Sequence, residues 1–215
     1  LSIELNKLTH EYRKDGTLYD PVTQVCSSVL HTESPWWKVD HQLRGTFVHS
    51  ITEAVDDGEW DPRLTVFPDS LGWGDAAKDK IIQRGFAYQR FMDETGFKAI
   101  KKEFIVYSDV LQIAGTIDKF GIFTKGRYAG WKAIVDIKSG EPTPSAIIQV
   151  ALYEILLDEC QPEQRGEPKL RVILHLREDG TCRPEYRHAN NGYNDRMEAI
   201  SIVNTYRFMK RHKLL

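Results

Sequence analysis

At 215 residues the chain has the length of one domain with a substantial core. Hydrophobic residues make up 41% and charged residues 28%, an ordinary balance for a globular protein, and no run approaches the roughly 20 apolar residues of a membrane span. With 29 basic against 31 acidic residues the net charge is −2, which excludes a protein that coats nucleic acid through overall positive charge but leaves room for one basic groove.

The three cysteines, Cys26, Cys160 and Cys182, are scattered and form no C-x-x-C pair. That pattern predicts a reduced, cytoplasmic-type compartment and provides neither a zinc cysteine pair nor the four thiolates of an iron–sulfur cluster. The opening residues LSIELNKLTHEYRKDG lack the apolar segment of a secretory signal. A phosphate-binding G-x-x-x-x-G-K-S/T loop, a G-x-S-x-G elbow and an H-E-x-x-H helix are all missing from the sequence.

In chain order, His10 to Tyr19 reads as two short strands around a turn at Asp15-Gly16. Asp20-Pro21-Val22-Thr23 opens a helix carrying Val22, Val25, Val29 and Leu30. After Trp36-Trp37, Val39 to Val55 is helical, with Phe47, Val48, Ile51, Ala54 and Val55 as its apolar stripe. His49 and Glu53, four apart, share another face of it. Residues 56–74 hold Pro62, Pro68, Gly72 and Gly74 and read as a long loop or lid. A helix from Asp75 to Thr95 follows, with Ile81, Ile82, Phe86, Phe91 and Met92 inward and Gly96 as its stop. Three strands are expected at Lys98–Tyr107, Leu111–Thr124 and Tyr128–Lys138, then a helix at Ala146–Leu157. A hairpin at Leu170–Arg177 and Thr181–Arg187 turns at Asp179-Gly180, and a helix from Tyr193 to Lys210 closes the chain.

The chemistry concentrates between Gly115 and Tyr153. In Ala133-Ile134-Val135-Asp136-Ile137-Lys138 a carboxylate and an amine interrupt an apolar run two positions apart. Strand side chains alternate faces, so Asp136 and Lys138 point one way and Val135 and Ile137 the other. Asp118 lies on the preceding strand within an equally apolar run, and hairpin partners stand about 5 Å apart. Two carboxylates and an ammonium at one place form a cradle for a hard divalent cation and a phosphate. The carboxylates repel one another unless a cation sits between them. Lysine suits the role beside them as a compact charge on a flexible stem.

The ordered set Gly115-x-x-Asp118, Asp136-x-Lys138-Ser139-Gly140 and Gln149-x-x-x-Tyr153 resembles the RecB-like exonuclease branch of the PD-(D/E)xK nuclease superfamily. Two further matches lie upstream: Gly45-Thr46-x-x-His49-x-x-x-Glu53, and Pro21-Val22-Thr23-x-Val25 after Tyr12 and Gly16. The resemblance runs from about Tyr12 to Tyr153. It implies an α/β fold of restriction-endonuclease-like architecture, with a central mixed β-sheet flanked by helices. One domain is expected, with a helical and lid part over about 1–97, a catalytic core over about 98–190 and a closing helix over about 191–215.

The resemblance also implies an activity, divalent-metal-dependent hydrolysis of DNA phosphodiester bonds. Asp118 and Asp136 would hold one or two Mg2+ or Mn2+ ions, with the Ile137 carbonyl completing the ligand set and Lys138 orienting the attacking water. His49 would reach the metal, with Glu53 as its helix partner. An imidazole ligand favours Mn2+ over Mg2+. Glu103 occupies a position where the family often carries an acid. Gln149 and Tyr153, one helical turn apart, would brace the site and contact DNA. A stand-alone exonuclease of phage recombination or genome-maintenance type fits best, in the host cytoplasm if phage-encoded. Alternatives are a structure-specific or restriction endonuclease on the same core, or a DNA-binding subunit that acts with a recombination or annealing protein. Basic side chains at Lys98, Lys101, Lys102, Lys125, Arg127, Arg207, Lys210 and Arg211, and the tryptophans Trp36, Trp37, Trp60 and Trp73, are candidate DNA contacts that the sequence leaves open against surface and core roles.

Overall fold

A computed structural model describes residues 3–6, 9, 11–30, 39–140, 142–165, 167 and 169–215. The elements in order are β1 (Glu4–Asn6), β2 (Glu11–Lys14), β3 (Thr17–Pro21), α1 (Val22–Leu30), α2 (Val39–Asp56), α3 (Asp75–Thr95), β4 (Lys98–Ser108), β5 (Ile113–Ile122), β6 (Lys132–Lys138), α4 (Pro144–Cys160), β7 (Lys169–Leu176), β8 (Cys182–Arg187) and α5 (Ala189–Arg211). His10 and the Trp36-Trp37 pair lie outside the described residues.

Local chemistry accounts for most element ends. Asp15 and Gly16, at φ 51° and 80°, supply the two positive dihedrals that a tight β2–β3 hairpin needs. Gly96 (φ 62°) ends α3 in the left-handed conformation, its amide donating to the Met92 carbonyl at 2.7 Å. Pro144 opens α4 where a missing amide costs nothing. β5 starts at Ile113, not Leu111, because Gln112 takes φ 48°. β6 starts at Lys132, not Tyr128: residues Gly126–Tyr128 form a 3-10 turn, and Gly130 turns the chain at φ 87°.

The strands form one mixed sheet in the order β1-β2-β3-β5-β6-β7-β8, with β4 paired to β5. The β3–β5 and β6–β7 pairs are parallel, and the rest are antiparallel. β5 therefore has three neighbours. β4 covers one edge along its whole length, while the other edge is shared by β3 at Ile113–Ala114 and β6 at Lys119–Ile122. Between those two contacts, residues 115–118 have no strand ladder on that edge among the described residues, and the sheet forks there.

Helices cover both faces of this mixed sheet, as expected of the α/β fold. One face packs Ile117 and Ile134 under α1, α4 and α5, through Val25, Leu152 and Val203. The other packs Val135, Ile137, Val172 and Leu174 under α2 and α3, through Ile51, Ile81, Tyr88 and Phe91. α4 is buried along most of its circumference, in keeping with its largely apolar sequence, which polar residues interrupt at Gln149, Glu154 and Asp158. On α3 the inward stripe is Ile81, Arg84, Gly85, Tyr88 and Phe91. Ile82 and Met92 are only partly buried, and Phe86 is 39% exposed, edge-on to Trp60. The expectation of Phe86 as a core residue is corrected by helical phase, because it falls between the positions of that stripe.

Segment 57–74 is not an open lid. It contains two 3-10 turns, Pro62–Leu64 and Asp69–Leu71, and its aromatic rings pack on the helices. Phe67 and Trp73 pack on Phe47, with centroids 5.5 and 5.4 Å apart. Trp60 fills the space left by Gly85, where a Cβ would stand 2.5 Å from its ring. Trp60 and Trp73 are thus packing residues, whereas among the large apolar side chains described in the segment Leu64 and Val66 project outward with most of their surface free.

Candidate metal centre at the sheet fork

The fork gathers side chains from five elements. α2 brings His49, β4 brings Glu103, β5 brings Asp118, β6 brings Asp136 and Lys138, and α4 brings Gln149 and Tyr153. His49 Nδ1 lies 3.2 Å from Glu103 Oε1 and 3.7 Å from Asp118 Oδ1. One potential ligand atom from each of these three residues falls within a 4.8 Å cluster. The second oxygen, Asp118 Oδ2, accepts the Ile137 amide at 2.6 Å. Asp118 therefore ties β5 to β6 just past the last ladder pair, Lys119 with Val135, where the two backbones separate.

Asp136 and Lys138 do point the same way. Lys138 Nζ stands 2.8 Å from Asp136 Oδ2 and donates to Gln149 Oε1 at 2.9 Å. Gln149 Nε2 donates to the Tyr153 hydroxyl at 2.8 Å. The Tyr153 ring lies over Gly115, whose missing Cβ would fall 2.6 Å from Tyr153 Cε1. The first glycine of the G-x-x-D motif thus makes room for the tyrosine of the last motif.

Asp136 pairs with Lys138 through Oδ2, and the acid grouped most tightly with Asp118 and His49 is Glu103. Glu53 shares helical spacing with His49, yet among the described residues the two form no hydrogen bond; its charge acts on Lys102 of β4. His49 is turned toward the strands, so its partners come from β4 and β5.

Electrostatics follow from burying Asp118 and Asp136 beside the exposed carboxylate of Glu103. Burial, with Asp136 and Glu103 alongside, raises the Asp118 pKa to about 6 against the counter-pull of His49 and Lys138. Burial would lower the His49 pKa, but the carboxylates of Asp118, Glu103 and Asp136 outweigh it and raise it to about 9. Burial likewise opposes the Lys138 charge, and Asp136 and Asp118 more than restore it. The Tyr153 hydroxyl is held well above its usual range by burial and by the same two aspartates. Glu103 also sits at φ 43°, a left-handed conformation unusual for a non-glycine residue.

This donor set fits a divalent cation. Three carboxylates, those of Glu103, Asp118 and Asp136, converge with the His49 imidazole and the one Lys138 ammonium, so acids outnumber the fixed positive charge. Asp136 Oδ1 is buried and accepts no hydrogen bond, an orphaned anionic oxygen that a cation would satisfy. The imidazole and carboxylate mixture suits a divalent cation with oxygen and nitrogen ligands better than a thiolate-seeking metal.

Other charged groups have local duties. Lys102 pairs with Asp57, and Lys125 donates to the Asp93 carbonyl. Arg207 donates to the Val110 and Leu111 carbonyls, and Lys210 pairs with Asp20. The sequence reading missed the buried Asp56–Lys119 ion pair (2.8 Å) and the Arg84 contact to the Ser139 carbonyl (3.1 Å), just after Lys138. An apolar run interrupted by Lys119 was the one visible hint. No described helix is long and apolar enough to cross a membrane.

No protein-family profile matches the chain, and no curated protein matches it. Among solved structures it is similar to a crystal structure named "Putative exonuclease" from Eubacterium rectale. That match has 15% identity and a TM-score of 0.46, and covers 87% of this chain and 77% of the other.

Proposed function

We propose that this protein is a divalent-metal-dependent deoxyribonuclease that hydrolyses phosphodiester bonds, acting as an exonuclease in recombination or repair. The observation that carries the reading is the convergence of His49, Glu103 and Asp118 beside the Asp136–Lys138 pair at the fork of the sheet.

His49, Glu103, Asp118 and Asp136 are the residues that would hold Mg2+ or Mn2+, with the Ile137 carbonyl as a further candidate ligand. When bound, such an ion lowers the pKa of a coordinated water and takes up charge on the leaving oxygen. The Lys138 ammonium is held by Asp136 on one side and Gln149 on the other, so its remaining donor capacity has a defined direction. There it orients the nucleophilic water and stabilises negative charge building on the phosphate. Gln149 and Tyr153 keep the ammonium from relaxing fully onto Asp136. Asp118 is fixed by the Ile137 amide through Oδ2, so its other oxygen would be available to hold the cation.

DNA labelled at either end, single- and double-stranded, with Mg2+ or Mn2+, tests the activity, and a covalently closed circle tests the mode. An exonuclease degrades the linear forms and spares the circle, whereas cleavage of the circle establishes an endonuclease. Asp136→Ala and Lys138→Ala must abolish the metal-dependent activity. Full activity in either variant would remove this assignment. The same digestion with an added annealing protein tests whether the chain works with a partner.

A further inference from the structure

Beneath the cation site lies a second group of charges that the chemistry does not use. Lys119 is fully buried, and its ammonium stands 2.8 Å from Asp56 Oδ2, whose side chain is 4% exposed. The Tyr88 hydroxyl donates to Asp56 Oδ1 at 2.7 Å, bringing α3 into the group. A second pair, Lys102 with Asp57, lies beside it at 2.5 Å. Lys102 and Lys119 are register partners on β4 and β5, and Asp56 and Asp57 are consecutive at the end of α2. Two neighbouring strands thus grip the end of one helix.

The same two strands carry the cation ligands at the adjoining positions. Glu103 follows Lys102, and Asp118 precedes Lys119. On α2, His49 and Asp56 are seven residues apart, so they share a face about 10 Å apart along the axis. Consecutive strand residues normally point to opposite faces. Here Asp118 and Lys119 both reach α2, where the β5–β6 ladder ends and Glu103, alongside, adopts its left-handed φ. α2 therefore touches β4 and β5 at two separate points, and two points determine how a rigid helix is rotated and how far it slides.

Stability alone does not call for this arrangement, because a buried ion pair is seldom better than two well-packed apolar side chains. Building on the cation-site reading above, we propose that the Asp56–Lys119–Tyr88 cluster is a positioning device for that site, holding α2 so that His49 meets Glu103 and Asp118. The cluster touches neither cation nor substrate. It acts through the placement of His49, as outer partners of metal ligands do when they set ligand orientation.

The test is Mn2+ binding to the full chain, read from the electron paramagnetic resonance signal of the free aquo ion. Wild type, His49→Ala, Tyr88→Phe and the neutral double variant Asp56→Asn/Lys119→Met are compared, with circular dichroism and thermal unfolding to establish folding. The double variant leaves no lone buried charge, and Tyr88→Phe removes one hydroxyl while keeping ring and charges. A folded double variant is expected to bind Mn2+ about tenfold more weakly, and Tyr88→Phe about threefold more weakly. A merely structural role would lower the melting temperature and leave the affinity of the folded protein unchanged. Weakening smaller than about threefold in every folded variant overturns the proposal; if the double variant does not fold, Tyr88→Phe decides alone. Wild type failing to bind Mn2+, or His49→Ala binding as wild type does, would instead overturn the cation-site reading, and the positioning role with it.

Discussion

The Ile137 amide donates to Asp118 Oδ2 at 2.6 Å. The residue between Asp136 and Lys138 on β6 thereby fixes the carboxylate of β5, at the point where the two strands stop pairing. A side-chain bond replaces the ladder bond, and the gap so created is where the remaining charged groups meet.

Asp118→Asn keeps an oxygen for the Ile137 amide and removes the negative charge. The melting temperature of the metal-free protein is expected to stay close to wild type. Activity on linear DNA in Mn2+ is expected to fall by about 100-fold or more, since several kcal/mol of charge stabilisation depend on the cation being held. Initial rates and thermal unfolding of the same preparation check both halves.

Glu103 combines a backbone strain with a proposed ligand. Glycine adopts φ 43° without steric cost, so Glu103→Gly is expected to exceed Glu103→Ala in metal-free stability by about 1 kcal/mol. Both variants are expected to lose most of the stabilisation that Mn2+ confers on wild type, which by linkage is about 2.7 kcal/mol at a hundred times the dissociation constant. Urea unfolding with and without Mn2+ measures the two effects separately.

Gly115→Ala places a methyl group 2.6 Å from Tyr153 Cε1 on a ring packed within the core. Overpacking of this kind costs about 1–3 kcal/mol. Because Tyr153 holds Gln149, and Gln149 holds Lys138, activity is expected to fall further than in Tyr153→Phe, which removes the hydroxyl but leaves the ring in place. Steady-state rates for the two variants decide the order.

Away from the site, Asp195 bridges Arg187 at 2.7 Å and the fully buried Arg171 at 3.1 Å, joining α5 to β8 and β7. Burial by itself would raise the Asp195 pKa, but the two guanidinium groups outweigh it and hold it below the usual carboxylate value. A depressed folded pKa contributes stability that is present above the unfolded value, about 3.9, and is lost as pH falls through the folded one. Asp195→Asn is expected to cost about 3–5 kcal/mol at pH 7 by leaving Arg171 poorly paired. The difference from wild type should shrink below about pH 4. Urea unfolding at several pH values tests the trend.

Much of the architecture is legible along the chain because it depends on near neighbours. The turn at Asp15-Gly16, the stop at Gly96, the long α3 and the shared direction of Asp136 and Lys138 follow from dihedral preferences and strand alternation, which act over a few residues. Helical phase is nearly as local, yet it misplaced Phe86, since several apolar stripes fit one helix and only the surface packed against it selects among them.

The grouping at the fork is another matter. His49 and Glu103 are separated by 54 positions, and Ile137 and Asp118 by 19. Which acid joins His49, which groups hold Lys138, and where a lysine can be buried against Asp56 depend on how β5 twists between β3, β4 and β6. Residue types and their order established a mixed α/β chain with acids and a lysine on neighbouring strands. Only tertiary packing decided their partners, because electrostatic pairing depends on separations of a few ångströms that no local preference specifies.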